Sequence, residues 1–178
     1  MFDTTSKKIV IDQDFIIRVP DEVEISKESS NVHGITKEIS NRDGISIVDA
    51  LDSFNISLTK ADIIIAHNIA FDTNMIAIES LRNNMDVRRQ FTRKINYCTM
   101  KRTVELCKIT AVNKYNKQYY KYPTLTQLHE FLFNETPLGT HNSMADVFIC
   151  LRCYFKVKFD EDLCSFSGFK RSFYNICK

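Results

Sequence analysis

The hydrophobic positions change period along the chain, and each change predicts an element. Residues 7–20, "KKIVIDQDFIIRVP", are rich in β-branched side chains and close at Pro20, where a ladder donor is lost, so they predict a strand. The polar stretch that follows reads as a connection, with Gly34 marking a turn and Thr36 placed as the N-cap of a helix over "KEISNR". Ile47, Val48, Leu51, Phe54 and Leu58 recur at helical spacing, which predicts an amphipathic helix over 45–58 with one buried face. "IIIA" at 63–66 is a short apolar run between polar ends, the pattern of an inner strand covered on both faces. Phe71, Met75, Ile78 and Leu81 then predict a helix over 71–85. Further on, "INYCTM" predicts a strand, "KRTVELCK" a helix, and 124–133 a helix after Pro123. Residues 141–157 predict a loop passing into a long helix. Strands alternating with helices, with no linker between them, predict one α/β domain over 1–158, followed by an irregular basic C-terminal tail over 159–178.

Composition narrows the class. The chain has 178 residues, 44% hydrophobic and 26% charged, with only 4 Gly and 3 Pro, which suits a single globular domain and excludes collagen-like or disordered chains. Its apolar runs fall far short of the roughly 18 residues of a membrane span, so no membrane association is expected. The first dozen residues mix charge and polarity without an apolar centre, so no secretory leader is expected either. Cysteines at 98, 107, 150, 153, 164 and 177, in a chain able to build a core, predict reduced thiols and a soluble, intracellular protein. Cys150 and Cys153 have the C-x-x-C spacing of a zinc or redox site, but they lie in the apolar helical pattern "VFICLRCYFKV" with no matching second pair, which favours core packing.

The net charge of +2 is unevenly distributed. Residues 1–80 carry 7 Lys+Arg and 14 Asp+Glu, whereas 81–178 carry 17 and 8, so the C-terminal part is the candidate for an acidic partner. Within it, "NKYNKQYYKY" (113–122) interleaves Lys114, Lys117 and Lys121 with Tyr115, Tyr119, Tyr120 and Tyr122. Cations beside flat rings suit a single-stranded nucleic acid; the alternative is a solvated, mobile surface loop.

Two places can carry chemistry. Asp72 follows the inner strand at the start of a helix, where α/β sheets bind ligands, although a carboxylate there also stabilises a helix N-terminus by roughly 0.3–1 kcal/mol without any function. His141 and Asp146 are spaced H-x-x-x-x-D across a loop-to-helix junction. Histidine can take a proton from water near neutral pH, and aspartate offers hard oxygen donors to Mg²⁺ or Mn²⁺.

Taken together, "VHGIT" (32–36), "IIIAHNIAFD" (63–72), "YCTM" (97–100), "YPTLTQL" (122–128) and "HNSMAD" (141–146) resemble the DEDDh family of 3′-to-5′ exonucleases, which includes the proofreading subunit of bacterial replicative polymerase. The resemblance spans about residues 10–157. It implies an RNase H-like fold, a mixed sheet flanked by helices, and hydrolysis of phosphodiester bonds at a DNA or RNA 3′ end with two divalent ions, Mg²⁺ or Mn²⁺. By the same resemblance Asp72 and Asp146 are metal ligands, His141 is the general base, and His33, Gly34, Asn68 and Phe71 line the terminal nucleotide.

The family's first motif, Asp-x-Glu, is not found. "MFDTT" has Thr5 where the glutamate belongs, and "DQD" (12–14) lies too close to His33. The expectation is a fold lacking its central strand at the N-terminus, with an incomplete metal site. Two function classes follow: a metal-dependent exonuclease active once that segment is supplied, or an inactive relative that binds nucleic acid or a polymerase through its basic half.

Overall fold

The computed structural model describes residues 1–140 and 142–177. Strands β1 (Phe2–Asp3) and β2 (Lys8–Ile9) form a short antiparallel hairpin with Phe2 opposite Ile9. Asp3 shapes the turn by accepting hydrogen bonds from the Thr5 N–H at 2.8 Å and the Ser6 hydroxyl at 2.7 Å. The predicted strand 7–20 is therefore mostly not a strand. Its first residues find β1, and Val10 and Ile11 continue that pairing through N–H donation to the Met1 carbonyl at 2.9 and 3.3 Å. Ile17 makes a single parallel bridge to Ile45, while residues 12–14 border an open groove with no strand partner among the described residues.

Three capped helices follow. Helix α1 (Lys27–His33) starts at Ser26, whose hydroxyl accepts from Ser29 N–H, and ends at Gly34 in the left-handed region (φ +74°). The turn at Gly34 is as expected. The helix before it is not, because its sequence has no apolar face to reveal it. Helix α2 (Lys37–Asp43) is capped by Thr36, as predicted. Gly44 closes it where residues 16–19 cross: a Cβ there would lie 2.2 Å from the Ser40 carbonyl oxygen and 2.7 Å from the Arg18 nitrogen. Helix α3 (Ile47–Lys60) buries Leu51 and Leu58, the latter in a small cluster with Val87 and Phe91.

Strand β3 (Ile63–Ala66) leads into α4 (Ile69–Arg82). Helix α5 (Arg88–Thr92) then brings the chain to β4 (Ile95–Cys98), which pairs with β3 in parallel, Ile63 opposite Ile95 and Ala66 opposite Cys98. Helix α4 has the predicted periodicity, but Phe71, Met75, Ile78 and Leu81 are its exposed face, while Ser80 is fully buried and Ile76 packs inward. Beyond the short helices α6 (Thr99–Arg102) and α7 (Val104–Cys107), strands β5 (Thr110–Val112) and β6 (Gln118–Tyr120) form a second antiparallel hairpin. Among the described residues there are three two-stranded ladders and not one mixed sheet. The expected inner strand β3 is partly exposed along its length, and its second edge carries no partner among the described residues.

The main core lies between α8 (Leu125–Phe133), α9 (Ser143–Phe159) and α10 (Ser167–Ile176). Thr124 and Gln127 form a reciprocal capping box that starts α8. Helix α9 buries Phe148, Ile149, Cys153, Tyr154 and Phe155, and Tyr154 meets the Tyr97 ring edge-on at 4.8 Å. The N-terminal hairpin docks here, with Phe2 edge-on to Phe155 at 5.2 Å and Lys7 bonded to Glu161 at 2.8 Å.

Residues 159–178 are not an irregular basic tail. They hold three acids and three bases, a 3₁₀ turn at Leu163–Ser165, and α10, whose Phe169 and Phe173 complete the core. Phe166, Phe169, Phe173 and Ile176 recur at helical spacing, which is the signal that could have revealed the helix. Arg152, 4% exposed, anchors the segment. It donates two 2.8 Å hydrogen bonds to the Asp162 carboxylate and a third to Glu135, and stacks on Phe133 at 3.9 Å.

His129 joins this network. It is fully buried. Its Nδ1–H donates to the Glu135 carbonyl at 2.9 Å, leaving Nε2 to accept from Arg152 at 3.1 Å. All six cysteines are free thiols. Burial pushes the Cys150 thiol up to about 12 and that of Cys153 well above its ordinary value, so this C-x-x-C pair is core material and chemically quiet. No helix among the described residues is long and apolar enough to cross a membrane.

Candidate active site

An open groove of about 1210 Å³ runs between the N-terminal hairpin and the free edge of β3 and is floored by α9. At the carboxyl end of β3 the chain turns sharply through Asn68, which takes the left-handed conformation (φ +75°) that asparagine tolerates better than most residues. Helix α4 therefore begins beside the strand end, and Asp72 in its first turn borders the groove. Asp72 is exposed as a residue, but the groove wall partly desolvates its carboxyl and raises its pKa.

The opposite wall is the start of α9. Asn142 caps it by accepting from the Met144 and Ala145 N–H groups at 3.0 and 3.1 Å, and the fully buried Ala145 pins the first turn to the core. Asp146, one residue on, borders the same groove. The negative charges of Asp72 and Asp146 both help raise the Cys150 thiol pKa, after the larger effect of burial. Two carboxylates far apart in sequence are thus brought to one place.

Between them lies a polar chain that sequence reading did not single out. His67 Nε2–H donates to the Pro123 carbonyl at 3.0 Å, so Nδ1 is the acceptor facing the Thr99 hydroxyl at 3.0 Å. Thr99, fully buried, also reaches Cys150 Sγ at 3.6 Å. Burial lowers the His67 pKa, and the Pro123 carbonyl and the Asp146 charge offset only part of that. The ring is therefore neutral at pH 7 and ties three segments together. Its position immediately after an apolar strand was the available signal.

The remaining expected residues are dispersed. His141 lies outside the described residues. Asn68 and Phe71 flank the turn into α4 but are not part of the groove lining, and the Phe71 ring is 62% exposed. His33 ends α1 and lines a separate pocket with Phe15 and Ile35; Gly34 is its helix cap. Asp3, Asp12 and Asp14 do border the groove, with Asp14 Oδ1 3.5 Å from the Ser143 hydroxyl. Asp72 and Asp146 supply hard oxygen donors of the kind Mg²⁺ and Mn²⁺ accept. Among the described residues, however, no three His, Cys, Asp or Glu side chains converge tightly enough to hold a metal ion, so the donor set fits such an ion in kind but not in number.

Carboxylates gathered beyond the carboxyl end of a parallel strand, on the first turns of two helices, mark an α/β domain with a ligand site in the usual place for that class. The family model of the RNase_T exonucleases matches residues 2–154. The chain therefore belongs to this exonuclease family, whose members are nucleases, hydrolases that act on nucleic acid. Exonucleases of this family are generally dependent on divalent metal ions. No curated protein and no solved structure matches the sequence.

Proposed function

We propose that this chain is a DEDDh-type member of its family, with an RNase H-like arrangement, that removes nucleotides from the 3′ end of single-stranded DNA or RNA. The observation that carries this reading is that Asp72 and Asp146, from separate helices, border one groove beside the free edge of β3. Asp72 and Asp146 would hold Mg²⁺ or Mn²⁺, which when bound lowers the pKa of an attacking water and neutralises the oxygen that leaves. His141 takes the proton from that water, and the proton ends on the released 3′ oxygen. Of the residues expected at the terminal nucleotide, Asn68 and Phe71 flank the turn beside Asp72 and are the ones that would reach it, whereas His33 and Gly34 belong to a separate pocket and helix end. A segment supplying Asp-x-Glu along the free edge of β3 would raise the number of oxygen donors. The unpaired thiols support a reducing, intracellular compartment.

The shortfall in donors favours a second reading, an inactive relative that binds nucleic acid or accompanies a polymerase. Incubation with oligonucleotides labelled at either end separates the two. The first reading expects Mg²⁺-dependent release of a 3′-terminal mononucleotide and a descending ladder from the 5′-labelled strand, reduced at least about 100-fold in His141→Ala. Binding without shortening under every divalent ion supports the second. Shortening that is unchanged in His141→Ala removes the assigned mechanism.

A further inference from the structure

The segment 109–122 is not the mobile loop that its composition allows. The ladder pairs Thr110 with Tyr120 and Val112 with Gln118, and it extends past the strands through Lys121 N–H to the Ile109 carbonyl at 2.9 Å. The turn is closed twice over. Asn113 N–H donates to the Lys117 carbonyl at 3.0 Å, and the Asn113 side chain accepts from the Tyr115 and Lys117 N–H groups at 2.9 and 3.0 Å. Asn116 takes the left-handed turn position at φ +58°.

Strand alternation then sorts the side chains. Lys117, Tyr119 and Lys121 share one face, and Tyr120 and Tyr122 share the other with Thr110 and Val112. None of the tyrosines is packed away: Tyr115, Tyr119, Tyr120 and Tyr122 are 43–77% exposed. Between Glu105 and Glu130 the chain has four lysines and no acid, and Lys114, Lys117 and Lys121 make no ion pair among the described residues.

Lys114 Nζ lies over the Tyr115 ring at 5.1 Å, and a hydrogen-bonded ribbon bearing exposed rings and cations that meet no acid suits a polyanion with flat faces to offer. An acidic peptide would satisfy the lysines but leave four rings wet, and a duplex keeps its bases stacked inside. The ribbon is also fixed relative to the groove. Tyr122 precedes Pro123, whose carbonyl holds His67, and Thr124 to Thr126 line the groove wall. At about 3.5 Å per extended residue, Tyr122 lies within roughly 7 Å of that wall.

We propose that the β5–β6 hairpin with Tyr122 is a second binding track for single-stranded nucleic acid. Resting on the exonuclease reading, it takes the part of the strand upstream of the 3′ end that occupies the groove. The lysines meet successive phosphates and the tyrosines stack on bases, so recognition is tolerant of sequence.

The test is fluorescence anisotropy in EDTA, so that binding is read without hydrolysis, with 5′-labelled oligothymidylate and oligouridylate of about 20 nucleotides, longer than the site of one single-strand-binding domain. A blunt duplex of equal length is the comparison. The wild-type chain binds one or both single strands at least tenfold tighter than the duplex; the tighter of the two tells DNA from RNA. Tyr115→Ala with Tyr122→Ala weakens binding about tenfold or more, and the two Tyr→Phe changes, which keep the rings, restore it. Lys114→Gln, Lys117→Gln and Lys121→Gln together flatten the slope of log affinity against log salt by about 2. Equal affinity for duplex, or unchanged binding and salt slope in both variant sets, overturns the proposal. Circular dichroism confirms that each variant is folded, and the salt slope of the lysine variant carries the test if an alanine variant is not. Hydrolysis in Mg²⁺ is scored separately. A chain that cuts normally but whose variants bind normally loses the track and keeps the exonuclease reading; one that never cuts, but whose variants bind poorly, does the reverse.

Discussion

The two sides of this molecule satisfy their polar groups in different ways. On the side of α8, α9 and α10, the buried charge of Arg152 and the polar groups around it find their partners inside the protein. Arg152 is bonded to Asp162, Glu135 and His129, the phenylalanines interlock, and α8 and α9 start on the side-chain caps Thr124 and Asn142. On the groove side, the edge of β3 and residues 12–14 have no ladder partner among the described residues, and Asp72 and Asp146 border an open volume of about 1210 Å³. An unpaired strand edge and a carboxyl partly desolvated like that of Asp72 lower stability, and folds commonly keep such features where something else binds. Stability is concentrated in one side and ligand-binding capacity in the other.

The contrast can be broken most severely from the core. Phe155→Ala removes a fully buried ring touching Phe2, Tyr154 and Phe159, and should cost about 3–5 kcal/mol, read as a shift of the urea midpoint. Arg152→Ala should cost about 3 kcal/mol, the low end for breaking a buried ion pair, because Asp162 and Glu135 are themselves 35% and 44% exposed and regain some hydration. A loss below about 1 kcal/mol in either would remove the core's claim to dominate stability.

A smaller effect comes from pH. Burial pushes the Asp162 carboxyl up, but Arg152 and the Cys164 N–H outweigh it and hold its pKa below the ordinary value. Its contribution is complete above about pH 4, the unfolded value, and is lost as pH falls through the folded one. His67 and His129 are held below their ordinary value of 6.5, chiefly by burial, so both are kept neutral in the fold. The unfolded chain takes up those protons first, so stability declines as pH falls from about 6.5 towards the folded values. Thermal midpoints should be level between about pH 7 and 8, fall from about 6.5 on acidification, and fall again below about 4. They should also fall above about pH 8.5, where the unfolded chain ionises thiols that burial keeps protonated in the fold. A midpoint that rises on acidification through 6.5 contradicts the assignment. The smallest stability effect belongs to the exposed stripe of α4, where Phe71→Ser should change stability by less than about 0.5 kcal/mol. A loss of 2 kcal/mol there would mean that the stripe is covered.

How far the sequence revealed this depends on whether a signal is local. Thr36 as a cap, the helix over 47–60, the strand at 63–66 and the helix after it were legible from period and capping chemistry. Which face of α4 is buried was not, because Phe71, Met75, Ile78 and Leu81 have helical spacing whether covered or bare. The strand over 7–20 failed because strands need neighbours, and no pattern within those residues reports an absent one. The helix at 167–176 was legible in its phenylalanine spacing and was masked by charge. In the site, Asp72 was singled out by position and Asp146 by its spacing from His141, the resemblance gave both their expected role as metal ligands, and the structure brings both to one groove. His67 was passed over, since its partners Thr99 and Pro123 are distant in sequence.

The central claim is that the groove side holds the chemistry while the core side holds the fold. Its most direct test is Mg²⁺-dependent shortening of a labelled single strand by the wild-type chain and by the Asp72→Asn, Asp146→Asn double variant, with thermal midpoints measured on the same samples. The account predicts that shortening falls at least about 100-fold while the midpoint moves by no more than a surface change allows. Undiminished shortening by a folded double variant would contradict it.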